Sequence, residues 1–598
     1  MRTNFFKGRP KVLFHSQTEV ISISVMLQCD RVATCDRCSL SKTDEKQMRD
    51  SHQNVPRCPM SKRIEFRDSC KMLTFSLNQL VSDAVQISNR KSIDLSAIFP
   101  NTLDHLISQG YDEDTFKYLL TQNAKMQMPF EVIDSLSYLQ RQTIPPPRSA
   151  FKNTLSNTLE IPEDSYALFL QTWNKLKISS LYQLFRLYLA LDVIYLGEVL
   201  AFYFQTLFSH TKLYPSHFQT ISSLGLAATL LNSPDPDNPK ERLKIPFLDE
   251  SSYELFCEAL IGGFSSVNAK YCNWNPMSKH EIDGDSKNAS FGCFVDVNAL
   301  YPSVLTGHLP FKNYQHFSRT ENPSYFDFLI ERLLARDTDY FYKLQMSGKG
   351  VLFKLELEIP TGSSQELNLD FASFPIREAV SEVDLSLSQR KVANLLRRSV
   401  NSEPKKLQSR VGKNIFTTDY CENLLYLLIV HKAKISQVFK ACVFESAAFL
   451  KKHMENLQHA RAEWSPYSKV LSQTIKSLGN TVTGKLHSKI EAYCNIRFCT
   501  DKKTFLGYLD CENFVDFTYL NDKSCVVKLD GISIRCKNLP TISSRVYSMS
   551  KLYLWKWGLV FQSRLRFFSN GGSTRLALTD TGLSKRSGGP CQNKNITN

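Results

Sequence analysis

The spacing of apolar side chains divides the chain into a mostly helical part and a mixed part. Apolar positions recur with helical spacing over residues 66–208, interrupted at 145–147 by three prolines, which cannot continue a helix. A second polar break at 232–240 holds three more prolines. We place the main domain boundary at this second break. Residues 1–60 are polar and weakly patterned, so we expect an irregular segment there.

Beyond the boundary the pattern predicts strands and helices together. Residues 351–359 place apolar side chains at every second position, from Val351 to Ile359, which predicts a half-buried strand. A short apolar run at 291–295 ends in Asp296, and residues 467–489 have a polar and basic helical pattern. Strands and a long helix around isolated acids predict an α+β catalytic core.

The longest apolar stretch, residues 178–208, contains Arg186, Asp192 and Glu198. Three charges inside a membrane span would be too costly, so the pattern predicts a buried helix and no membrane partner. Residues 1–14 have no sustained apolar core, and we expect no signal peptide. The 16 cysteines are scattered along the chain, which favours a reducing, intracellular compartment.

The charge balance points to a polyanionic partner. The chain has 73 Lys and Arg residues against 58 Asp and Glu, a net charge of +15 with a pI near 9.0, and such a balance favours nucleic acid. From Gly531 to the end there are eleven basic residues and one acid, with aromatic residues interleaved. This end is either a solubilising tail or a nucleic-acid contact, and the pattern alone favours neither.

One segment combines an acid with the start of a helix. Residues 296–303 read D-V-N-A-L-Y-P-S, which places a carboxylate and several backbone N–H groups at one spot. An isolated acid of this kind more often only caps a helix. The segment closely resembles motif A of B-family DNA polymerases, D-x-x-S-L-Y-P, with Ala299 as its departure. The resemblance implies that Asp296 binds metal and that Tyr301 stacks under the incoming sugar and excludes a 2′-hydroxyl.

A second segment, residues 476–485, reads K-S-L-G-N-T-V-T-G-K. On a helix Lys476, Asn480 and Thr483 share one face and could meet a triphosphate together, although the pattern alone favours a solvated face. The segment resembles motif B of the same polymerases, K-x3-N-S-x-Y-G, which implies nucleotide binding by Lys476 and Asn480. Thr483 replaces the usual aromatic residue, whose ring packs on the nascent base pair. Arg461 is a candidate second phosphate contact or, equally, a helix-surface arginine.

The third metal-binding motif of these polymerases, Y-x-D-T-D-S, has one candidate here, residues 578–584, L-T-D-T-G-L-S. Asp580 matches one carboxylate, whereas Gly582 stands where a second one binds metal. Two-metal phosphoryl transfer uses carboxylates to hold two cations roughly 3.5 to 4 Å apart, which a glycine cannot do. The resemblance implies magnesium at Asp296 and Asp580 and a degenerate third motif. Only 14 residues follow Ser584, so we expect the thumb domain to be missing.

The amino-terminal part resembles the exonuclease domain of the same polymerases. Residues 64–69 resemble its second motif, and residues 188–192 fit the third, Y-x3-D. The resemblance implies that Asp68 and Asp192 bind metal and that Tyr188 orients the attacking water. No D-x-E precedes Asp68 in the sequence, so we expect proofreading to be lost or degenerate.

A glycine pair and a joining segment extend the resemblance. Gly262 and Gly263 resemble the pair between exonuclease and polymerase domains, where bare backbone approaches the template strand. Residues 420–424 resemble the segment between motifs A and B in polymerases of Polinton-type transposons. The chain is thus similar to the protein-primed branch of the B family.

The resemblance implies a multidomain protein of the α/β and α+β classes. Its expected divisions are an irregular segment, an incomplete RNase H-like 3′–5′ exonuclease domain, a polymerase palm with a fingers insertion, and an atypical basic end with the degenerate third motif. We place these divisions at residues 1–60, 61–231, 241–555 and 556–598.

The function implied is DNA-directed DNA synthesis for a mobile element or virus, adding deoxynucleotides to a 3′-hydroxyl with magnesium. Its partners would be template and primer DNA, deoxynucleoside triphosphates and, if a protein side chain supplies the first hydroxyl, a terminal priming protein. We expect the nucleus rather than the mitochondrion as its location. The alternative is a catalytically inactive, truncated descendant that only binds DNA.

Overall fold

A computed structural model describes most of the chain. The residues that it describes are 11–14, 20–27, 62–122, 125–152, 160–262, 291–297, 299–360, 375–378, 385–396, 406–409, 411–487, 495–522, 524–529, 539–562, 567–570 and 575–580.

Both helices and strands are present in these ranges. The helices of the described residues are α1 (Leu77–Lys91), α2 (Leu95–Ile98), α3 (Pro100–Ser108), α4 (Glu113–Gln122), α5 (Leu136–Arg141), α6 (Glu163–Lys175), α7 (Leu181–Thr211), α8 (Ile221–Leu231), α9 (Glu250–Glu258), α10 (Leu300–Leu305), α11 (Pro323–Leu334), α12 (Thr338–Met346), α13 (Leu387–Leu395), α14 (Cys421–Ile429), α15 (Lys451–Trp464), α16 (Lys469–Leu486), α17 (Lys502–Leu509) and α18 (Pro540–Gln562).

The strands of the described residues are β1 (Lys11–Phe14), β2 (Val20–Leu27), β3 (Lys62–Arg67), β4 (Phe291–Asp296), β5 (Leu309–Phe317), β6 (Lys349–Ile359), β7 (Pro375–Glu378), β8 (Lys406–Ser409), β9 (Gly412–Tyr420), β10 (Lys434–Ala447), β11 (Asn495–Cys499), β12 (Phe514–Asn521), β13 (Ser524–Leu529), β14 (Phe567–Asn570) and β15 (Arg575–Asp580). The mixed α/β, multidomain class agrees with the sequence prediction.

The chain forms two compact units, each assembled from separated stretches. Unit 1 comprises residues 1–225, 459–478 and 489–535, and unit 2 comprises 226–458, 479–488 and 536–598. The first boundary lies close to the proline-rich break at 232–240. Two stretches beyond residue 458 group with the amino-terminal part, although sequence reasoning placed them with the polymerase part. The identity of each domain stays a prediction.

Helix α7 is the central helix of unit 1. By length and composition alone it could cross a membrane. It packs against α1, α2, α3 and α5, and Tyr195 and Tyr203 on it are almost completely buried. The buried Glu198 accepts hydrogen bonds from the backbone N–H of Asn101 (2.5 Å) and Thr102 (3.1 Å) at the start of α3, which compensates its charge. These contacts are those of a core helix.

The main sheet of unit 2 is antiparallel, with the strand order β5, β10, β6, β9. Strand β6 confirms the predicted alternation, because its five alternate apolar side chains from Val351 to Ile359 are all buried. Helices α11, α12 and α14 cover one face of the sheet. On the other face, Phe256 of α9 packs against Tyr420 and Phe444. Burial on both faces makes this sheet the rigid base of the unit.

Candidate functional site

A tight turn follows β4 and leads into α10. Ala299 adopts a left-handed conformation with φ 51° and ψ 43°, which L-residues rarely adopt without tertiary support. Its carbonyl oxygen accepts hydrogen bonds from the backbone N–H (2.9 Å) and the hydroxyl (3.0 Å) of Ser303. The turn therefore presents Tyr301, which is half-buried, and Pro302, which is buried, at the start of the helix.

This turn lies against α16, the helix of the second polymerase-like motif. A Cβ atom at Gly479 would lie 3.4 Å from Cγ of Pro302 and 3.8 Å from Cδ1 of Leu457. A side chain larger than a methyl group would push these helices apart, because protein interiors are closely packed. The structure thus brings together two segments that are 177 residues apart in the sequence.

Helix α18 adds an aromatic ring to this junction. Tyr547 contacts Tyr301 edge to face, with ring centroids 5.8 Å apart and planes at 69°. Its hydroxyl lies 3.1 Å from Nε2 of His487, and Nδ1 of His487 lies 2.9 Å from the carbonyl oxygen of Thr483. Burial and the nearby Tyr301 raise the pKa of Tyr547 to about 12, while the Arg377 charge opposes the rise. Sequence reasoning counted Tyr547 only among the aromatic residues interleaved with the basic end, and it missed His487, because neither lies inside a motif.

The side chains of α15 and α16 that the sequence suggests for nucleotide binding differ in their exposure to solvent. Lys476 and Asn480 are half-buried, as is Arg461 in α15. Thr483 is buried, only 1% exposed, and its hydroxyl lacks a hydrogen-bond partner. The Thr483 side chain is therefore not accessible on the face that it shares with Lys476 and Asn480, and its carbonyl oxygen accepts a hydrogen bond from the hydroxyl of Ser543 in α18. The nucleotide-binding roles of Lys476, Asn480 and Arg461 stay predictions.

The amino-terminal end of α16 is anchored within unit 1. The buried carboxylate of Asp83 accepts hydrogen bonds from the backbone N–H of Lys469 (2.9 Å) and Val470 (3.2 Å). It also accepts from the hydroxyls of Tyr203 (2.9 Å) and Ser468. A carboxylate at a helix start satisfies free N–H groups and favours the helix dipole. Asp83 therefore fixes the beginning of the helix that carries Lys476 and Asn480.

A close helix contact holds the same stretch of α16. A Cβ atom at Gly225 in α8 would lie 2.5 Å from the carbonyl oxygen of Leu478. No side chain fits at such a distance, so glycine is required where α8 crosses α16.

Asp296 and Asp580 lie in the same antiparallel sheet, of strand order β14, β15, β4. The register places Arg575 opposite Asp296 and Asp580 opposite Phe291. Five residues along a strand correspond to roughly 17 Å at about 3.4 Å per residue. The prediction of a shared sheet is confirmed, but the prediction that these two acids approach each other is wrong in this register. The two residues do not fit a shared two-metal site, and their catalytic roles stay predictions.

The exonuclease-like acids fall in unit 1. Tyr188 forms a hydrogen bond with Asp192 one turn further along α7, and burial together with this bond raises the pKa of Tyr188 to about 12. The ring of Phe130 contacts Tyr188 edge to face at 5.7 Å. Asp68 is exposed, and its carboxylate accepts a hydrogen bond from the backbone N–H of Cys70 at 2.9 Å. The predicted convergence of Asp68 with Tyr188 and Asp192 stays a prediction.

The glycine pair predicted to approach DNA is described only at its first residue. Gly262 is half-buried, with open space where a Cβ would be, and Gly263 lies outside the described residues. Their DNA contact stays a prediction. In the ranges that the structure describes, no group of three or more His, Cys, Asp or Glu side chains could hold a metal ion.

A buried ion pair joins α18 to α14 beside the end of β9. Arg545 donates hydrogen bonds to both carboxylate oxygens of Glu422, at 2.9 and 2.7 Å, and lies 4.9 Å from the ring centre of Tyr420. Burial alone would raise the pKa of Glu422, but the Arg545 charge and its hydrogen bonds bring it below the ordinary value. The ion pair therefore holds the helix that carries Tyr547.

A second buried pair lies one turn further along α18. Asp419 accepts hydrogen bonds from the hydroxyl of Ser548 (2.5 Å) and from Nδ2 of Asn423 (3.1 Å), and Nζ of Lys551 lies 3.8 Å away. Burial lowers the pKa of Lys551, and Asp419 opposes that shift. Sequence reasoning missed this network. Its signal was a polar repeat every three or four residues, formed by Ser544, Arg545, Ser548 and Lys551.

Comparison with known proteins finds distant structural similarity. No protein-family model matches the chain, and no curated protein matches it significantly. The phi29 DNA polymerase in its orthorhombic crystal form has a TM-score of 0.45 and 11% identity, covering 97% of this chain and 67% of that chain. The ternary complex of phi29 DNA polymerase with primer-template DNA and incoming nucleotides has a TM-score of 0.43 and 10% identity, covering 98% and 68%.

Proposed function

We propose that the chain is a DNA-directed DNA polymerase that adds deoxynucleotides to a primer 3′-hydroxyl. The observation that carries this proposal is the contact of the turn bearing Tyr301 with the helix bearing Asn480, through Pro302 and Gly479. Each segment alone has an ordinary explanation as a capped turn or a solvated helix. Their junction supports one nucleotide site to which Tyr301 and Asn480, both in unit 2, contribute a ring and an amide group.

The side chains have separate tasks in this proposal. Tyr301 limits the space at the sugar 2′-position, and Asn480 donates or accepts hydrogen bonds at the nucleotide. Lys476 and Arg461 neutralise phosphate charge, because ammonium and guanidinium groups are the usual phosphate partners. Magnesium, when bound, would neutralise the developing charge on the triphosphate. Asp296 and Asp580 do not fit a shared ion in this register.

The finer parts of the proposal extend the sequence resemblance. They are a protein-primed reaction with a terminal priming protein, service to a mobile element or virus of the Polinton type, an intracellular and nuclear location, and a degenerate 3′–5′ exonuclease at Asp68, Tyr188 and Asp192. The net charge of +15 supports template and primer DNA as partners.

A second candidate is a catalytically inactive descendant that binds DNA. It is favoured by the register that separates Asp296 from Asp580 and by Gly582 in place of a metal-binding carboxylate. It keeps the DNA contacts and loses the transfer reaction.

Primer extension by the purified full chain separates the two candidates. A labelled primer-template is incubated with deoxynucleoside triphosphates and magnesium, with D296N and K476A as comparison variants. Extension by the natural chain that D296N abolishes supports the polymerase. DNA binding that falls steeply as salt rises, without extension, supports the second candidate. A chain that shows neither extension nor salt-sensitive DNA binding overturns both.

A further inference from the structure

Tyr301, Tyr547 and His487 form a small aromatic cluster where α10, α16 and α18 meet. The rings of Tyr301 and Tyr547 contact edge to face at 5.8 Å, and those of His487 and Tyr547 do so at 5.2 Å and 73°. All three side chains are half-buried, so each keeps part of its surface open. The open part of an aromatic ring can pack against a flat ligand.

Hydrogen bonds fix the orientation of Tyr547. A carbonyl oxygen only accepts, so Nδ1 of His487 donates to Thr483 at 2.9 Å, and in the neutral imidazole Nε2 then accepts from the Tyr547 hydroxyl at 3.1 Å. The hydroxyl of Ser543 donates to the same Thr483 carbonyl at 2.9 Å. This chain of bonds ties α18 to the end of α16, so the Tyr547 ring is held in place before any ligand arrives.

Helix α16 has no aromatic side chain at the position where the motif that it resembles carries one. Thr483 stands at the position of the usual aromatic residue, and its side chain is buried with an unpartnered hydroxyl. Tyr547 instead brings a ring from α18 to the same turn of α16, next to Tyr301.

We propose that Tyr547 supplies the aromatic surface on which an incoming deoxynucleoside triphosphate packs, in place of the ring absent at Thr483. Tyr301 bounds the sugar, and His487 holds the Tyr547 hydroxyl so that the ring keeps its orientation. This inference rests on the proposed nucleotide binding, and it assigns nucleotide recognition to a helix outside all the motifs.

Equilibrium binding of a fluorescent deoxynucleoside triphosphate to the full chain with primer-template DNA tests the proposal. Stacking on an aromatic side chain contributes enough that Tyr547→Ala should weaken binding roughly tenfold. Tyr547→Phe keeps the ring and should stay within about threefold of the natural chain. The matched control is Tyr553→Ala, since Tyr553 is an exposed tyrosine on another face of the same helix. It should bind like the natural chain.

A photo-crosslinking experiment needs no variant and so avoids any loss of folding. A 5-iodo-deoxyuridine triphosphate is bound to the natural chain, irradiated and mapped by peptide mass spectrometry. Crosslinks at Tyr547 support the proposal. Undiminished binding by Tyr547→Ala, or crosslinks confined to other residues, overturns it while leaving nucleotide binding intact. Absence of nucleotide binding by the natural chain overturns the proposed function as well.

Discussion

Arg545 donates two hydrogen bonds to Glu422, and this ion pair joins α18 to α14 inside unit 2. Their side chains are only 8% and 21% exposed. Because removing one partner leaves a buried charge uncompensated, E422Q should lower the free energy of unfolding by about 3 to 5 kcal/mol. Urea denaturation measures this change.

The control for this pair uses both partners. The double variant E422L/R545M removes both charges and should recover much of the loss, since an apolar pair of similar size can replace a buried ion pair. E455Q, which removes an exposed ion pair in α15, should have no measurable effect. Equal stability of E422Q and the natural chain would show that the pair does not hold α18.

Asp83 should stabilise α16 from a distance in the sequence. D83A removes the acceptor for two backbone N–H groups and leaves two buried hydroxyls without it, so we expect a loss of about 2 kcal/mol or more. Hydrogen exchange should become faster at Lys469, Val470 and Leu471. D94A, which removes an exposed cap of α2, should leave exchange at those three amides unchanged. If exchange at these three amides is as slow in D83A as in the natural chain, Asp83 does not stabilise the start of α16.

The register of β4 and β15 can be measured with a single introduced cysteine. Cys293 lies opposite Leu578, and Cα atoms of opposed residues are about 4.5 to 5.5 Å apart, within reach of a disulfide. L578C should therefore form a disulfide with Cys293 under mild oxidation. A register that set Asp580 opposite Asp296 would place residue 583 opposite Cys293. Disulfide formation by L583C and not by L578C would mean that Asp296 and Asp580 lie opposite each other.

His453 should make stability depend on pH. It is 3% exposed, Nε2 lacks a hydrogen-bond partner, and burial lowers its pKa from 6.5 to about 4. Between these two values His453 is protonated in the unfolded chain but not in the folded chain. The free energy of unfolding therefore decreases as pH falls from 6.5 towards 4. H453M should reduce this slope by up to about 1.4 kcal/mol per pH unit.

Chemical denaturation at pH 7 and pH 5 measures the two slopes. The control is H459M, because His459 is exposed on the same helix and its replacement should keep the natural slope. A slope that H453M leaves unchanged would mean that His453 becomes protonated in the folded protein.

The sequence predicted elements whose pattern is local. Strand β6 shows its buried face by alternation, and α16 and β4 lie where their apolar spacing placed them. Contacts between residues far apart in the sequence were harder to predict from it. The Asp83 cap joins residues 386 positions apart, and the pairing of Asp580 with Phe291 depends on one register among several that the same residues allow. The contacts of Tyr547 with Tyr301 and His487 were missed because a ring contact between two helices leaves no periodic signal.

Unit 1 is assembled from separated stretches of the chain, which affects its folding during synthesis. Helix α1 leaves the ribosome long before the segment that Asp83 caps, which follows 386 positions later. At about 5 to 20 residues per second, the wait is roughly 20 to 80 seconds. Throughout that interval the Asp83 carboxylate lacks its partners in the segment at 468–470, although Tyr203 is already made. Unit 1 therefore cannot complete its native contacts until residues 459–478 have been made.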